Sequence, residues 1–493
     1  MSKKRIRQIL AVFFFFGITL LFLDFTGVVS NYLDWMPRLQ FLPALLAMNF
    51  FVIIFLLLLT FLFGRVYCSV ICPLGVLQDI ISHIVGKYKK NRFFFSPAKT
   101  FLRYFIFFVF FVATLFGVGV ITQLLDPYSF FGRIAGQLFQ PIYLGLNNLL
   151  AIFAEWTNSY LFYSVPIVLT SLTMLIVAIG SFFIVGYLSA RGGRTYCNTI
   201  CPVGTLLGFF SKFSLFKPII NTEKCNGCHL CSRNCKASCI DLTNQKIDYS
   251  RCVACFSCID NCKKGAIEYR FVFDTNKKSV EQNAEKNQEN QMRRSFLTMI
   301  GLGTATVAFS QKSVDGGLAE ILDREIPQRK QPIVPCGAYS LDRFSKKCTA
   351  CGLCVSTCPT KVLRPSSSLD HFMQPELQFT EGYCRPECTR CAEICPTGAI
   401  EKITSAEKSS IKIGTARIVS SNCLAATEHV KCDNCARHCP NGAITMVPSS
   451  EEGIFVPSIN AERCIGCGAC EALCPSRPFS AIVVDGLTVH REI

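Results

Sequence analysis

The stretch CTACGLCVSTCP, from Cys348 to Pro359, decides the fold of the C-terminal part of the chain. Three cysteines stand two residues apart, and a fourth follows after three residues, immediately before a proline. Cysteines with this spacing wrap a loop around three corners of a [4Fe–4S] cluster, while the fourth reaches a second cluster. The stretch therefore predicts half of a module that binds two clusters.

The pattern occurs six times, in three pairs, and leaves only six of the 30 cysteines outside it. It is typical of bacterial ferredoxins, so we expect three α+β modules with two clusters each. Because the fourth cysteine of a quartet ligates the other cluster of its pair, six crossed ligand groups are expected for six [4Fe–4S] clusters. These groups are Cys225, Cys228, Cys231 and Cys262; Cys252, Cys255, Cys258 and Cys235; Cys348, Cys351, Cys354 and Cys395; Cys384, Cys388, Cys391 and Cys358; Cys423, Cys432, Cys435 and Cys474; Cys464, Cys467, Cys470 and Cys439.

Two other uses of the cysteines fit the sequence less well. Zinc sites pair cysteines across a dozen or more residues and do not use evenly stepped triplets. Structural disulfides are rare in the cytoplasm, where we place the first pair of quartets, and the other pairs share its spacing. The spacing therefore favours iron–sulfur clusters.

Long apolar runs fill the first 190 residues, and half of the whole chain is apolar. Such runs predict an all-α membrane domain of four helices, at 9–29, 41–63, 101–125 and 165–188. Lys and Arg crowd the connection 64–100 and follow the fourth helix, which places both ends of this domain in the cytoplasm by the positive-inside rule. The segment 134–156 holds several Gln and Asn residues, so we expect it in the outer interface and not as a fifth span.

The net charge of +16 does not by itself indicate a nucleic-acid partner. No basic helix interleaved with stacking aromatic residues occurs, and much of the positive charge flanks the apolar runs. We therefore expect membrane lipid as a partner, and no nucleic acid.

A second cysteine motif, G-R-x-Y-C-x3-C-P, occurs once at 64–73 and again at 193–202. The repetition predicts that the membrane domain is a duplication of two helices and one motif. We expect its cysteines, Cys68, Cys72, Cys197 and Cys201, at the cytoplasmic surface. Three roles are open to them: ligands of a seventh cluster or another thiophilic metal, redox-active dithiols, or a structural helix start.

Arg293-Arg294, followed by Phe-Leu and an uncharged apolar run, reads as a twin-arginine export signal inside the chain. A polar segment at 274–291 precedes it and predicts a flexible linker. We therefore place residues 1–291 in or on the cytoplasmic side of a bacterial inner membrane and residues after about 312 in the periplasm. The apolar run is either a cleaved signal or a fifth anchor.

These features divide the chain into six parts. They are a membrane domain at 1–217, a cytoplasmic two-cluster ferredoxin at 218–273, the linker 274–291, the signal or anchor 292–312, and two periplasmic two-cluster ferredoxins at 313–405 and 406–493.

Residues 1–270 resemble the membrane ferredoxin NapH of periplasmic nitrate reductase systems, and residues 292–493 resemble its exported partner NapG. The second resemblance rests on the arginine pair, on the three-residue gap after Cys384 and on the eight-residue gap after Cys423. The chain looks like a fusion of the two. The resemblance implies quinol oxidation, with electrons passed to a periplasmic reductase or cytochrome. Proteins with a similar membrane unit and one ferredoxin act as metal (copper) reductases in oxidase assembly, which is the alternative function.

No pair of histidines that could hold a haem lies in the four predicted spans. We therefore expect electrons to cross the membrane only on an exchangeable quinone, and we expect an electron-transfer component and not a stand-alone enzyme. A quinol needs a proton acceptor at membrane depth. Asp24 and Asp126, near the outer ends of predicted spans, are the candidates, against a purely structural role for each.

Overall fold

The computed structural model describes residues 2–88, 93–157, 162–165, 167, 172–272, 324–449 and 453–493. The linker 274–291, the pair Arg293-Arg294 and the segment 292–312 lie outside these residues, so the predictions made for them stay predictions. Residues up to 271 and from 324 onward belong to one structural unit.

Helices make up the N-terminal half of this unit. Their bounds are α1 Lys3–Leu23, α2 Val28–Leu33, α3 Trp35–Arg38, α4 Phe41–Leu46, α5 Phe50–Phe63, α6 Val66–Val70, α7 Pro73–Tyr88, α8 Thr100–Leu115, α9 Gly119–Leu125, α10 Pro127–Ile134, a π-helical turn Ala135–Phe139, α11 Gln140–Trp156, α12 Leu172–Gly192, α13 Thr195–Thr199 and α14 Pro202–Ser211.

Four continuous spans are not what the structure shows. Within the described residues, α1 and α12 are the two helices long and apolar enough to cross a membrane, whereas α5, α8 and α14 are shorter apolar helices. The predicted second span breaks at Met48, and the predicted third span breaks at Gly117, both of which have a positive φ. A left-handed residue cannot continue a right-handed helix, so each of these apolar runs becomes two helices.

A large apolar surface remains exposed on the long helices. It includes Ile9, Phe13 and Phe16 of α1, Phe51, Ile54 and Leu58 of α5, Phe101, Phe105 and Phe108 of α8, and Ile176 and Phe183 of α12. Soluble proteins rarely expose apolar surface on this scale. The opposite faces of these helices pack inward on Ile18, Leu56 and Ala178, which are fully buried.

The first ferredoxin module follows α14. Its elements are β1 Phe216–Ile220, α15 Leu230–Arg233, β2 Ile240–Asp241, β3 Lys246–Ile247, α16 Ser257–Asp260 and β4 Ile267–Phe271. β1 and β4 pair antiparallel from Phe216↔Phe271 to Ile220↔Ile267, and β2 pairs with β3. The two short helices carry the cysteine loops between these ribbons, as expected for a two-cluster ferredoxin.

The second and third modules follow from residue 324 onward. Their elements are α17 Leu341–Lys347, α18 Leu353–Ser356, β5 Leu363–Pro365, β6 Pro375–Leu377, α19 Arg390–Ile394, α20 Ser405–Ser410, β7 Ile411–Ile418, a 3-10 turn Ser420–Asn422, α21 Leu424–Thr427, α22 Asn434–Arg437, β8 Ile444–Pro448, β9 Phe455–Ile459, α23 Ala469–Ala472 and β10 Ile482–Glu492. β5 pairs with β6, β8 with β9 and β7 with β10, each antiparallel.

The segment before the second module packs on the third module. Arg324 donates to the carbonyls of Ala472 (2.5 Å) and Cys474 (2.7 Å), and Arg329 forms a buried ion pair with Glu471 (2.5 Å). Residues that precede the second module in sequence therefore pack on the third module. A single module boundary at residue 405 does not describe this contact.

The modules lie at opposite ends of the long helices. At the N-terminal end of α1, Ser2 donates to Asp260 of the first module (2.9 Å). Beyond the C-terminal end of α1, Arg38 donates to the carbonyl of Glu393 in the second module (2.8 Å). α12 runs the other way, since Met174 near its start packs on Ala350 of the second module. The 21 residues of α1 span about 32 Å, close to the thickness of a bilayer core.

Candidate iron–sulfur sites

The cysteine loops share an unusual backbone. In four of the six described loops, the residue before the second cysteine and the residue after it both have a positive φ. The pairs are Gly227 and His229, Ala254 and Phe256, Ala350 and Gly352, and Gly466 and Gly468. Only some of these positions hold the glycine that such a φ favours, so the strained ones are stabilised by their surroundings. The alternation curls the backbone of each of these loops around its second cysteine.

The structure brings the cysteines together in the crossed groups expected from the sequence. Cys235 meets Cys252, Cys255 and Cys258; Cys262 meets Cys225, Cys228 and Cys231; Cys358 meets Cys384, Cys388 and Cys391; Cys395 meets Cys348, Cys351 and Cys354; Cys439 meets Cys464, Cys467 and Cys470; Cys474 meets Cys423, Cys432 and Cys435. All are free thiols.

The surroundings of these thiols suit an anionic cluster. Backbone amides point at the fourth cysteine of several quartets, as in Ala266 N to Cys262 Sγ (3.2 Å), Ala443 N to Cys439 Sγ (3.2 Å) and Ala481 N to Cys474 Sγ (3.3 Å). Hydrogen bonds to the sulfurs are one of the means by which a protein sets a cluster's potential. The donor set therefore fits [4Fe–4S] clusters.

Several of these thiols resist ionisation because they are buried. Burial raises the pKa of Cys231 to about 11 and that of Cys467 to about 12. Cys235 is different, because a hydrogen bond from Cys239 (Sγ–Sγ 3.6 Å) lowers the pKa of Cys235 to about 7. Since only thiolates ligate iron, loading these sites releases protons.

The remaining four motif cysteines form one further group. Cys68 lies in α6 and Cys72 directly before α7; Cys197 lies in α13 and Cys201 directly before α14. Their exposed fractions are only 3–4%, and each interacts electrostatically with the other three. The expectation that they lie at the cytoplasmic surface of the membrane stays a prediction, and within the protein all four are buried. The proline after each second cysteine starts a new helix (α7, α14), and these helices cover the thiols with the first module above them.

The two motifs contact each other reciprocally. Arg65 of the first motif donates to the Cys197 carbonyl (3.0 Å), and Arg194 of the second donates to the Cys68 carbonyl (2.5 Å). Each guanidinium also approaches the thiol of its own motif, at 3.7 Å for Arg65 Nη2 to Cys68 Sγ and 4.0 Å for Arg194 Nη1 to Cys197 Sγ. The four thiols and two arginines thus form a single, nearly two-fold symmetric site.

Within the described residues, no three His, Cys, Asp or Glu side chains are close enough to share one metal ion. Ligands of a single zinc ion each lie about 2.3 Å from it, whereas those of a cubane attach to four different irons.

Comparison with known proteins agrees with these sites. The model of a family described as "4Fe-4S binding domain" matches residues 45–91 and 170–222, which contain the two C-x3-C-P motifs. The model "4Fe-4S dicluster domain" matches 347–399 and 430–477. No solved structure matches the chain.

Three curated relatives carry the comparison further. The ferredoxin-type protein NapF of Escherichia coli K12 is 32% identical over 180 residues, which are 36% of this chain and 99% of NapF. The chain belongs to the Nap-type ferredoxin family. Ferredoxin-type protein NapG of the same organism is 31% identical over 155 residues, 28% of this chain and 64% of NapG. An uncharacterised protein, MJ0749 of Methanocaldococcus jannaschii, is 25% identical over 192 residues, 39% of this chain and 58% of its own length.

Three further residues of this Nap-type ferredoxin lie against cluster groups: Lys408, and Cys239 and Cys336, the two cysteines that the sequence leaves outside every motif without a role. Lys408, buried beside the group of Cys384, donates to the carbonyls of Arg385 (2.6 Å) and Cys388. Cys239 lies against the group of Cys235, and Cys336 against that of Cys384. Burial raises the pKa of Cys336 to about 12. A single lysine and two spare cysteines carry no sequence pattern, so only the fold reveals these contacts.

The two predicted proton acceptors have different surroundings. Asp24 Oδ1 accepts from Thr26 N (3.1 Å) and Gly27 N (2.8 Å), and its Oδ2 accepts from Ser30 N (2.9 Å), so its carboxylate shapes the turn after α1. Asp126 caps α10 with Oδ2, which accepts from Ser129 N (2.8 Å). Its buried Oδ1 has no hydrogen-bond partner among the described residues.

A cavity lies between the helices and the second module. It is lined by α10, the π-helical turn, α11 and α12 on one side, and by the loop Gly352–Ser356, Lys361 and Met373 on the other. Its polar lining includes Arg133, Gln140 and Lys361. π-helical turns of this kind are frequent at functional sites.

Proposed function

We propose that this iron–sulfur electron-transfer protein is embedded in the bacterial inner membrane, oxidises quinol and passes the electrons to a periplasmic reductase of the nitrate-reductase type. The first module lies in the cytoplasm and the second and third lie in the periplasm. The modules' positions at opposite ends of α1, together with the exposed apolar faces of the long helices, support this arrangement.

The cavity between the helices and the second module is the observation that carries quinol oxidation. It adjoins the loop between Cys351 and Cys354, so a quinol bound there is next to a cluster group. Arg133 is about 1% exposed, and its Nε and Nη2 have no partner among the described residues. Unpaired buried donors are costly, and the oxygen of a quinone headgroup would satisfy them.

The reaction also needs a route for protons. Oxidation of a quinol releases two electrons and two protons, and the clusters accept only the electrons, one at a time. Asp126 interacts electrostatically with both Arg133 and Cys351, and its Oδ1 is free of hydrogen bonds among the described residues. We therefore assign proton acceptance to Asp126 and a structural role to Asp24.

Quinol-driven bleaching of the visible iron–sulfur absorbance tests this function. Gly136 lines the cavity, and a Cβ there would meet only Ser356 Oγ at 3.5 Å, so Gly136→Leu fills the cavity with little backbone conflict. The matched control is Gly180→Leu on α12, where a Cβ meets nothing within 4 Å. We expect Gly136→Leu to slow bleaching by menaquinol and ubiquinol analogues at least tenfold, with dithionite reduction unchanged.

Asp126→Asn supplies the second variant, since asparagine is an equally good helix N-cap and lacks the charge. It is expected to slow quinol-driven bleaching while leaving the iron content intact. If neither quinol reduces any cluster of the unmodified protein, quinol oxidation is not its function. If Gly136→Leu reacts as fast as the control, the cavity is not the quinol site.

A further inference from the structure

The buried group of Cys68, Cys72, Cys197 and Cys201 plays no part in quinol oxidation at the cavity. Its charge balance indicates what it holds. Arg65 is fully buried and has no carboxylate within ion-pair distance among the described residues. Arg194 is equally buried but pairs with Asp79 (2.9 Å).

An unpaired buried guanidinium is strongly unfavourable. Protonated thiols or disulfides are neutral and would leave Arg65 without a counter-charge. Thiolates that ligate iron carry negative charge and would supply the counter-charge that Arg65 lacks. Arg65 Nε and Arg194 Nη2 are also buried atoms without a hydrogen-bond partner among the described residues. The electrostatics therefore favour a thiolate-bound cluster over redox-active dithiols or a merely structural motif.

The first module is fastened directly to this site. Arg65 Nη1 donates to the carbonyl of Ser250 (3.1 Å), two residues before Cys252. The backbone N–H of Arg194 donates to the carbonyl of Lys236 (2.8 Å), the residue after Cys235. Cys235 and Cys252 belong to one cluster group, so the arginines that serve the four thiols also hold that group against them.

The second module closes on the site from the other side. Tyr67 and Tyr196, each next to a motif cysteine, both interact electrostatically with Asp126. From Asp126 the series continues to Cys351, whose carbonyl lies against Gly132 of α10, where an added Cβ would sit 2.3 Å from it. The four thiols thus lie between a group of the first module and a group of the second.

Neighbouring groups continue the series at both ends. In the first module Cys231 interacts with Cys258. In the second, Cys354 interacts with Cys391, and the amide of Cys384 donates to the carbonyl of Cys467 in the third module (3.0 Å). Six of the seven cysteine groups are therefore linked one after another through the described part of the protein.

We propose that Cys68, Cys72, Cys197 and Cys201 together bind one iron–sulfur cluster that relays single electrons between the first and second modules, so that electrons cross the membrane inside the protein. In each step one cluster loses one electron and the next gains it, and no bond or proton changes place. The electron source is a one-electron donor on the side of the first module, such as a reduced iron–sulfur or flavin protein. This path is an alternative to the expectation that electrons cross only on a quinone, and it does not depend on quinol oxidation.

The iron and acid-labile sulfide contents of the purified, fully loaded protein test the site without any variant. We expect one cluster more than the six ferredoxin-type clusters. Replacing Cys72 and Cys201 together by serine should remove that cluster and leave the electron paramagnetic resonance signals of the other six in place. An iron content accounted for by six clusters in the unmodified protein would overturn the proposal.

Electron flux tests the relay. The protein is placed in vesicles of quinone-free lipid that enclose ferricyanide, and dithionite is added outside. Unmodified protein and the control Gly180→Leu, at a position of α12 where an added Cβ meets nothing within 4 Å, should reduce the enclosed ferricyanide. The Cys72→Ser/Cys201→Ser variant should lose at least nine-tenths of this flux while quinol still bleaches its second-module clusters. Undiminished flux in that variant, or no flux in the unmodified protein, would refute the relay, and neither result bears on quinol oxidation.

Discussion

Lys408 should set the reduction potential of the cluster group formed by Cys384, Cys388, Cys391 and Cys358. Its side chain is buried, and its ammonium donates to two carbonyls of the cysteine loop. Burial alone would lower the pKa of Lys408, but the neighbouring thiols outweigh it and raise the pKa above its ordinary value. The lysine therefore stays charged, and Lys408→Met removes one positive charge beside the site.

The size of the effect follows from Coulomb's law. At roughly 6 Å and an effective dielectric constant of about 20, two unit charges interact by about 3 kcal/mol. For a one-electron couple this corresponds to about 120 mV, since a tenfold change in equilibrium constant is about 59 mV. Because reduction adds negative charge, loss of the lysine disfavours it. We expect Lys408→Met to lower the potential of this one cluster by about 50 to 120 mV.

A redox titration followed by electron paramagnetic resonance measures this shift. Lys408→Arg keeps the charge and should retain most of the potential. Lys402→Met is the matched control, because Lys402 is largely exposed and only pairs with Asp34 at 3.8 Å. If Lys408→Met binds iron normally and no cluster changes its potential, or if Lys408→Arg shifts it equally, the charge of Lys408 is not what acts.

Three further predictions concern the packing of the modules. Gly132→Ala should weaken docking of the second module by about 1–3 kcal/mol, because its Cβ would meet a backbone carbonyl at 2.3 Å. Gly136→Ala should be tolerated. Thermal unfolding of the loaded protein compares the stabilities of the two variants. Glu471→Gln should cost about 3–5 kcal/mol, since it leaves Arg329 buried without its partner, and guanidinium unfolding measures this. Burial lowers the pKa of His490 to about 4, so the imidazole stays neutral in the folded state, whereas in the unfolded state it binds a proton below about pH 6.5. The free energy of unfolding should therefore fall by about 1.4 kcal/mol between pH 7.5 and 5.5. His490→Phe should remove this loss.

Each of these three predictions has one result that would contradict it. Equal melting temperatures for the two glycine variants would mean that α10 does not dock closely on the cysteine loop. An unfolding free energy of Glu471→Gln within about 0.5 kcal/mol of the unmodified protein would remove the ion pair from the stability of the third module. A pH dependence unaltered in His490→Phe would assign that dependence to other groups.

The cysteine groups could be predicted from the sequence because their spacing is local, and local spacing dictates the loop geometry. The burial of Cys68 and Cys197 could not, since a motif does not show which way the helix after its proline turns. The breaks at Met48 and Gly117 were missed for a related reason. An apolar run predicts that a segment is membrane-embedded, but it does not reveal a single left-handed residue within it.

One signal in the sequence was available and unused. Gly132 and Gly136 are four residues apart in an apolar segment, and small residues with that spacing allow another chain to approach a helix closely. In the structure the backbone of the second module fills this place, as the carbonyl of Cys351 shows. Lys408 offered no such signal, because it reaches its cluster group only through tertiary packing.

The cavity and the relay meet at the same cluster group, that of Cys348, Cys351, Cys354 and Cys395. Its loop lines the cavity, and at its Cys351 the series from the four buried thiols reaches the second module. Electrons from quinol would therefore enter the second module after the relay and not through it. Blocking the relay should leave quinol-driven reduction intact, and filling the cavity should leave flux from the first module intact. Under the two proposals together, the first module is a second electron input to this group, a role that quinol oxidation alone does not require.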